Sequence, residues 1–373
     1  MSDFSPLPEK LWWSSLPGPS KFIKWFCAAV EDGKNILLDD ANKILWPEIF
    51  REKCELKCTR NGSRALDYFD AADMSESTSP GLALLENYGS DGAIRNGYRE
   101  TSGKSIEQYL IDHEVLRNTI IWVKNIPEAQ TDQWLECANR YDPQNTHGGI
   151  LIIECPQKLA VGLKTKNCVR LNYAETIQEY DNYAFCFQML TGSENKATWT
   201  EIRYLTAILS KLFSLDVQAT IGLIENCKST ALNFSIDDFK RHFSGIDEDD
   251  LKRILWQAQL QEIFPIIERG RLYFLKDKYD SILDKLWKER PYLRETPYGE
   301  LSDISDLEIA GLERWFMYWN NGRYNNPKVP QEDMNIVSTL HSCRNKLAHL
   351  DICAPDDVKT VLDWGEKRFP AKA

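Results

Sequence analysis

Hydrophobic positions follow two regimes along the chain. Before residue 192, short unbroken apolar runs alternate with stretches of helical period; after it, only the helical period continues. Trp12-Trp13 and Leu16-Pro17-Gly18-Pro19 make an irregular lead-in. Ser20 to Val30 then predicts a helix with Phe22, Ile23, Phe26 and Val30 on one side, closed by Gly33. Ile36-Leu37-Leu38 reads as a short buried strand, Pro47 to Glu55 as a helix, and Ala65 to Ala72 as a strand of poor alternation. Ser105 to Leu116 is helical. Thr119 to Val123 is the clearest strand, followed by a helix over Gln130 to Ala138, strands at Gly149 to Ile153 and Val169 to Leu171, and a helix over Glu175 to Leu190. Strands that are apolar on both faces and alternate with helices predict a parallel sheet covered on both sides. Residues 1–192 are therefore expected to form a three-layer α/β domain.

The remainder reads as all-α. Thr198 to Phe213, Val217 to Asn226 and Ser235 to His242 are short helices, the last opened by a Ser235/Asp238 box. They predict a helical connector over residues 193–247, compatible with a winged helix. Its one basic stretch, Phe239-Lys240-Arg241-His242, is too thin for a DNA-reading helix, so DNA is not an expected partner. Glu248 to Phe264 is a long helix capped by Asp247 and broken at Pro265. Gly270 to Trp287, Asp306 to Trp319, Gln331 to Asp351 and Pro355 to Lys367 complete the set, with a loop over Pro291 to Ser305. Residues 248–373 are expected to be an antiparallel helical bundle.

Composition narrows the function. The chain has 373 residues and a net charge of −11, which disfavours broad charge-driven binding to nucleic acid. The excess is local: residues 1–250 hold 26 basic and 37 acidic side chains, whereas the rest holds 19 of each. RNA would meet least repulsion in the C-terminal third. No apolar run is long enough to span a bilayer and MSDFSPLPEK lacks a signal-peptide core, so a cytoplasmic protein with no membrane association is expected. The ten cysteines sit mostly in apolar contexts, as reduced thiols do. Cys54 and Cys58 are the only close pair, and no second pair is spaced to complete a zinc site, so neither metal nor cofactor is expected.

The stretch Gln331 to Asp351, QEDMNIVSTLHSCRNKLAHLD, concentrates unusual chemistry. Met334, Val337, Leu340 and Leu347 form its apolar stripe, while His341, Asn345 and His349 recur every fourth residue on one face and Arg344 flanks it. Arg344 and His349 lie about 140° apart on an ideal helix. Arg344-Asn345-Lys346-Leu347-Ala348-His349 has the R-N-x-x-x-H form, and the stretch resembles the HEPN superfamily of nucleotide-binding proteins and RNA nucleases. That resemblance implies a helical bundle with its motif on a late helix, and a composite site formed when two protomers bring their motif helices together. It further implies metal-independent RNA cleavage leaving a cyclic phosphate, with His349 moving protons, Arg344 gripping the phosphate, Asn345 orienting either group and His341 supporting. RNA and a homodimer, or a partner subunit, follow as partners. The bland alternative is a non-catalytic subunit in which this helix bonds to Asp306, Glu308 or Asp351 and holds the bundle together.

The front domain resembles the P-loop ATPases of the STAND and AAA kind, with Gly33-Lys34-Asn35 before strand one, a Walker-B-like strand and a sensor-like strand. It departs where catalysis is made. Strand one runs into Asp39-Asp40-Ala41-Asn42-Lys43 without glycine, and the Walker-B-like strand ends in Lys124-Asn125 with no acid for magnesium. Gly97 to Ser105, GYRETSGKS, is one residue too long for a phosphate loop and follows no strand. A degenerate P-loop domain on a HEPN-like tail is similar to effectors and accessory subunits of bacterial antiphage and toxin systems. A rival reading places a magnesium-dependent site at the strand-end carboxylates Asp39, Asp40 and Glu154; the bland alternative is helix capping by Asp39 or Asp40.

Overall fold

The computed structural model describes residues 7–60, 64–75, 77–99, 103–143, 148–162, 165–192, 197–229, 235–297, 299–322 and 327–370. The chain divides into two compact units between Asp181 and Asn182. This division precedes residue 192, where the hydrophobic pattern changes.

In the first unit, α1 (Pro8–Ser15) and α2 (Pro17–Glu31) lead into β1 (Asn35–Asp39), and α3 (Pro47–Cys58) into β2 (Ala65–Asp70). Helices α4 (Pro80–Tyr88), α5 (Gly92–Gly97) and α6 (Ile106–Asp112) precede β3 (Thr119–Lys124), and α7 (Thr131–Arg140) precedes β4 (Ile150–Glu154) and β5 (Cys168–Asn172). All five strands are parallel, in the order β2-β3-β4-β1-β5. Parallel neighbours need crossovers, and the crossover helices cover both faces.

Side chains alternate across the pleat. One set, Leu37, Ile121, Val123, Leu151 and Ile153, packs with Leu84, Leu110 and Trp134 of α4, α6 and α7. The other set meets aromatic residues of α2 and α3: Phe26 stacks on Trp122 at 5.0 Å between centroids, and Phe50 meets it edge-on at 5.7 Å. Asn35, wholly buried, donates to the Ala138 and Tyr141 carbonyls and accepts the Leu151 amide, which ties β1 to the end of α7 and to β4. Strand β2 sits at the sheet edge and is largely exposed, which explains its poor alternation. The tryptophan lead-in is not irregular. Trp12 and Trp13 are buried in α1, whose 8 residues are too few for a helical period to show.

The second unit is a helical bundle. Helix α8 (Glu179–Thr191) straddles the division, and α9 (Trp199–Phe213), α10 (Val217–Ser229), α11 (Ile236–His242), α12 (Glu248–Leu272), α13 (Asp280–Glu289), α14 (Ile309–Asn321), α15 (Gln331–Ala348) and α16 (Pro355–Arg368) follow. Helix α9 packs on α12 and α16, so the expected connector is part of the bundle, and no strand occurs among the described residues of 197–247 to make a wing. Helix α12 also does not break at Pro265. The proline forfeits one backbone bond, but packing on α9, α15 and α16 carries the helix on to Leu272. Tyr273–Lys278 then winds as a π-turn before α13, so Gly270 to Trp287 is not one helix. Glu295–Thr296 and Gly299–Glu300 pair as a minimal hairpin inside the expected loop. No helix among the described residues is long and apolar enough to cross a membrane.

Helices α12, α15 and α16 meet closely at Gly270. A Cβ there would lie 2.9 Å from Leu340 Cδ1 and from the Trp364 ring. Alanine gains about 1 kcal/mol of helix propensity over glycine, while overpacking a rigid indole costs about 1–3 kcal/mol. Gly270→Ala is therefore expected to lower the stability of the bundle by about 1 kcal/mol or more in urea unfolding; an unchanged or higher midpoint contradicts this packing.

Candidate functional site

Helix α15 begins after Pro330, with Glu332 and Asp333 in its first turn, where they favour the helix dipole. Asp333 is buried and accepts from Lys278 Nζ at 2.8 Å and from the Tyr279 hydroxyl, pinning this end to the π-turn. Val337, Leu340, Cys343 and Leu347 form the buried stripe.

The other end decides the site. The helix stops at Ala348, and His349 is its C-cap at φ −97° and ψ 16°. Leu350 takes the left-handed conformation at φ 61°, its N–H bonding to the Leu347 carbonyl, while the Asp351 N–H bonds to that of Lys346. This is a Schellman closure with leucine where glycine is usual. Trp256 of α12 donates its indole N–H to the Leu347 carbonyl at 3.0 Å, so the terminal carbonyls are satisfied and the helix cannot extend. The helix ends at Ala348 rather than running through Asp351. The His349 N–H still bonds to the Asn345 carbonyl at 3.1 Å, which keeps it one turn on from Asn345, and its side chain is exposed.

His341, Asn345 and Arg344 form a chain with two acids near or on α14. His341 Nδ1 lies 2.6 Å from Glu313 Oε2, and Asn345 Nδ2 lies 2.8 Å from His341 Nε2. Arg344 Nη1 approaches Asn345 Oδ1 at 3.5 Å, and Nη2 donates to Glu308 Oε2 at 3.0 Å. Because a carboxylate only accepts, the neutral imidazole carries its proton on Nδ1. Nε2 then accepts the Asn345 amide, whose oxygen is turned to the guanidinium. Of the three acids considered as bundle-holding partners, Glu308 is the one Arg344 takes. Its side chain is 66% exposed, so the pair is screened and contributes roughly 0–1 kcal/mol. Glu313 was not singled out from sequence. It stands 28 residues from its histidine, on another helix, and no local spacing reveals it.

The strand-end carboxylates are spoken for. Asp39 is buried and accepts from the Leu159 N–H at 2.6 Å, from Arg170 Nε at 2.9 Å and from Asn172 Nδ2 at 2.7 Å. Burial pushes its carboxyl up, but these donors more than offset that and hold it below the usual carboxylate range. Asp40 pairs with Lys43 at 2.8 Å. Glu154 takes a bidentate grip from Arg51 at 2.8 Å per bond and a further bond from the Trp122 indole at 2.7 Å. Glu154 and Arg51 line a polar cleft of about 600 Å³, with Asn42, Lys124 and Asn125. Each of the three acids is thus neutralised by its own cation, and no group of three potential metal ligands forms among the described residues. Cys58 of the CELKC pair faces Cys27, with Sγ atoms 3.9 Å apart, rather than Cys54. Residues 100–102 of the GYRETSGKS stretch lie outside the described residues.

Three outcomes follow from this geometry. Asp39→Ala strands a part-buried guanidinium and should destabilise the α/β unit by about 3–5 kcal/mol. Since the folded carboxyl titrates below its unfolded value of about 3.9, its contribution is full above that pH and is lost as pH falls through the folded value. Asp39→Asn should therefore flatten the acid limb of a stability-versus-pH curve below about pH 4, and an acid limb identical to wild type refutes the clamp. Leu350→Gly removes left-handed strain at a side chain that is 74% exposed; it should raise the bundle's stability by about 1 kcal/mol, read by thermal unfolding. No family model matches the chain, and no curated protein matches it.

Proposed function

We propose that the chain is a metal-independent endoribonuclease of the HEPN type, acting as a homodimer or with a partner subunit in a bacterial defence or toxin setting. The observation that carries the reading is the presentation of Arg344 and His349 at the solvent-facing end of α15, with Asn345 and His341 ordered behind Arg344. A core helix has no use for that arrangement. In the reaction, the 2′-hydroxyl attacks the adjacent phosphorus, the 5′-oxygen leaves, and a cyclic phosphate remains. His349 accepts the hydroxyl proton, and the same residue of a second copy returns a proton to the leaving oxygen. Arg344 exchanges its exposed Glu308 for the scissile phosphate, where a bidentate contact is stronger than a screened ion pair. The neutral charge of the C-terminal third makes this the tolerable place for RNA.

A second reading has its own support. Glu308 and Glu313 put two carboxylates against the motif, and Asn345 already has His341 as partner. In that case the α15 face binds a protein chain and cleaves nothing.

An RNA cleavage assay in EDTA separates the readings. The ribonuclease cuts without metal and leaves a cyclic phosphate end; Arg344→Ala and His349→Ala each reduce the rate by about 10²–10⁴-fold with unchanged thermal midpoints. Absence of cleavage in EDTA, or full activity in either variant, sinks the nuclease. A change in assembly state in the same variants then supports the binding subunit.

A further inference from the structure

Of the ten cysteines, all among the described residues, eight are buried. A buried thiol behaves as a small apolar group, and packing accounts for those eight. The two half-buried ones are Cys27 of α2 and Cys58 of α3, and they face each other with sulfurs 3.9 Å apart. Both accessible thiols of the chain are thus in contact, brought together from positions 31 residues apart.

Their surroundings make the two unequal. The Cys58 thiol donates to the Cys27 sulfur, and the Lys57 ammonium lies near enough to favour negative charge there. Together these outweigh partial burial and Glu31, and they hold the Cys27 thiol below its ordinary range. The same bond keeps the proton on Cys58, whose thiol is pushed up by it and by burial. Cys54 lies one turn before Cys58 but is wholly buried, and burial pushes its thiol up. Thiolate character with access marks a reactive cysteine, and a second thiol in reach marks its resolving partner.

We propose that Cys27 and Cys58 are a hydroperoxide-reactive dithiol that closes into a reversible disulfide between α2 and α3. The Cys27 thiolate attacks one peroxide oxygen, the O–O bond breaks, and the departing hydroxide takes a proton from solvent to become water. Cys27 is then a sulfenic acid. The Cys58 sulfur attacks the Cys27 sulfur, the S–O bond breaks, and the hydroxyl leaves as water with the Cys58 proton. Two electrons pass from the sulfurs to the peroxide, and two waters form. Bonded sulfurs stand about 2.05 Å apart, so the side chains rotate and the helix end shifts to meet. Cys58 is the last residue of α3, where no further turn holds the terminal carbonyls. The first turns of α3 place Glu48 and Arg51 on the polar cleft, where Arg51 grips Glu154. The disulfide therefore fastens to α2 the helix that supplies this wall.

Trypsin separates the three cysteines of this region onto residues 25–34, 54–57 and 58–60. The reduced full chain is treated at neutral pH with equimolar hydrogen peroxide, then unfolded, alkylated with iodoacetamide, digested and weighed. The expected product joins 25–34 to 58–60, two hydrogens lighter than the separate peptides, with the other eight cysteines alkylated. Dithiothreitol should restore both thiols. Cys58→Ser keeps a donor beside Cys27 but removes the resolving sulfur, so Cys27 should stay a sulfenic acid that dimedone traps on 25–34. Cys27→Ser should lose the cross-link and give no dimedone adduct on 58–60. A cross-link to 54–57 instead, both thiols left free, or oxidation spread evenly over the ten cysteines overturns the assignment.

Discussion

The C-terminal carbonyls of α15 need partners, and the way they find them sets the candidate site. Lys346 and Leu347 are met by the N–H groups of Asp351 and Leu350 and by the Trp256 indole. That closure requires one left-handed residue, and Leu350 supplies it despite its branched side chain. The helix must then end at Ala348. His349 is thereby placed at the corner, pointing to solvent, while Arg344 and Asn345 remain one turn back inside the helix. Were the helix to run on to Asp351, its terminal carbonyls would lose the indole and the two backbone donors. One backbone requirement thus sets where the exposed His349 stands relative to Arg344 and Asn345.

Behind that corner, electrostatics is balanced within the bundle. Glu313 orients His341, His341 orients Asn345, and Asn345 turns its oxygen to Arg344. Each step is a short hydrogen bond of fixed sense until the last, which is long at 3.5 Å. The guanidinium is therefore held loosely from behind and by an exposed acid in front. In the proposed reaction that loose hold would let the guanidinium exchange a carboxylate for a phosphate.

The α/β unit obeys the same rule about buried charge with a different result. Its strand-end acids fall in the region where open parallel sheets bind ligands. Asp39 and Glu154 are nonetheless taken up by arginines from β5 and α3, and Asp40 by the lysine three residues on. These paired carboxylates hold loops and strands together.

Much of this architecture follows from the sequence alone. Unbroken apolar runs such as Thr119 to Val123 and Gly149 to Ile153 dictate strands buried on both faces, hence a parallel sheet with helices on either side. The helical stripe of Gln331 to Leu347 and the gathering of Arg344, Asn345 and His341 are likewise visible in spacing, because 3.6-residue periodicity is a local property. Short helices escape it: α1, α4 and α5 are too brief to show a period, and Pro265 masks the continuity of α12. Tertiary structure alone decided the rest. Whether Asp39 is a ligand or a clamp depends on Arg170, which comes from another strand, and the tautomer of His341 depends on an acid from another helix. Where α15 stops depends on an indole from α12. A charge's role is set by what reaches it in space, and a linear pattern contains no record of that.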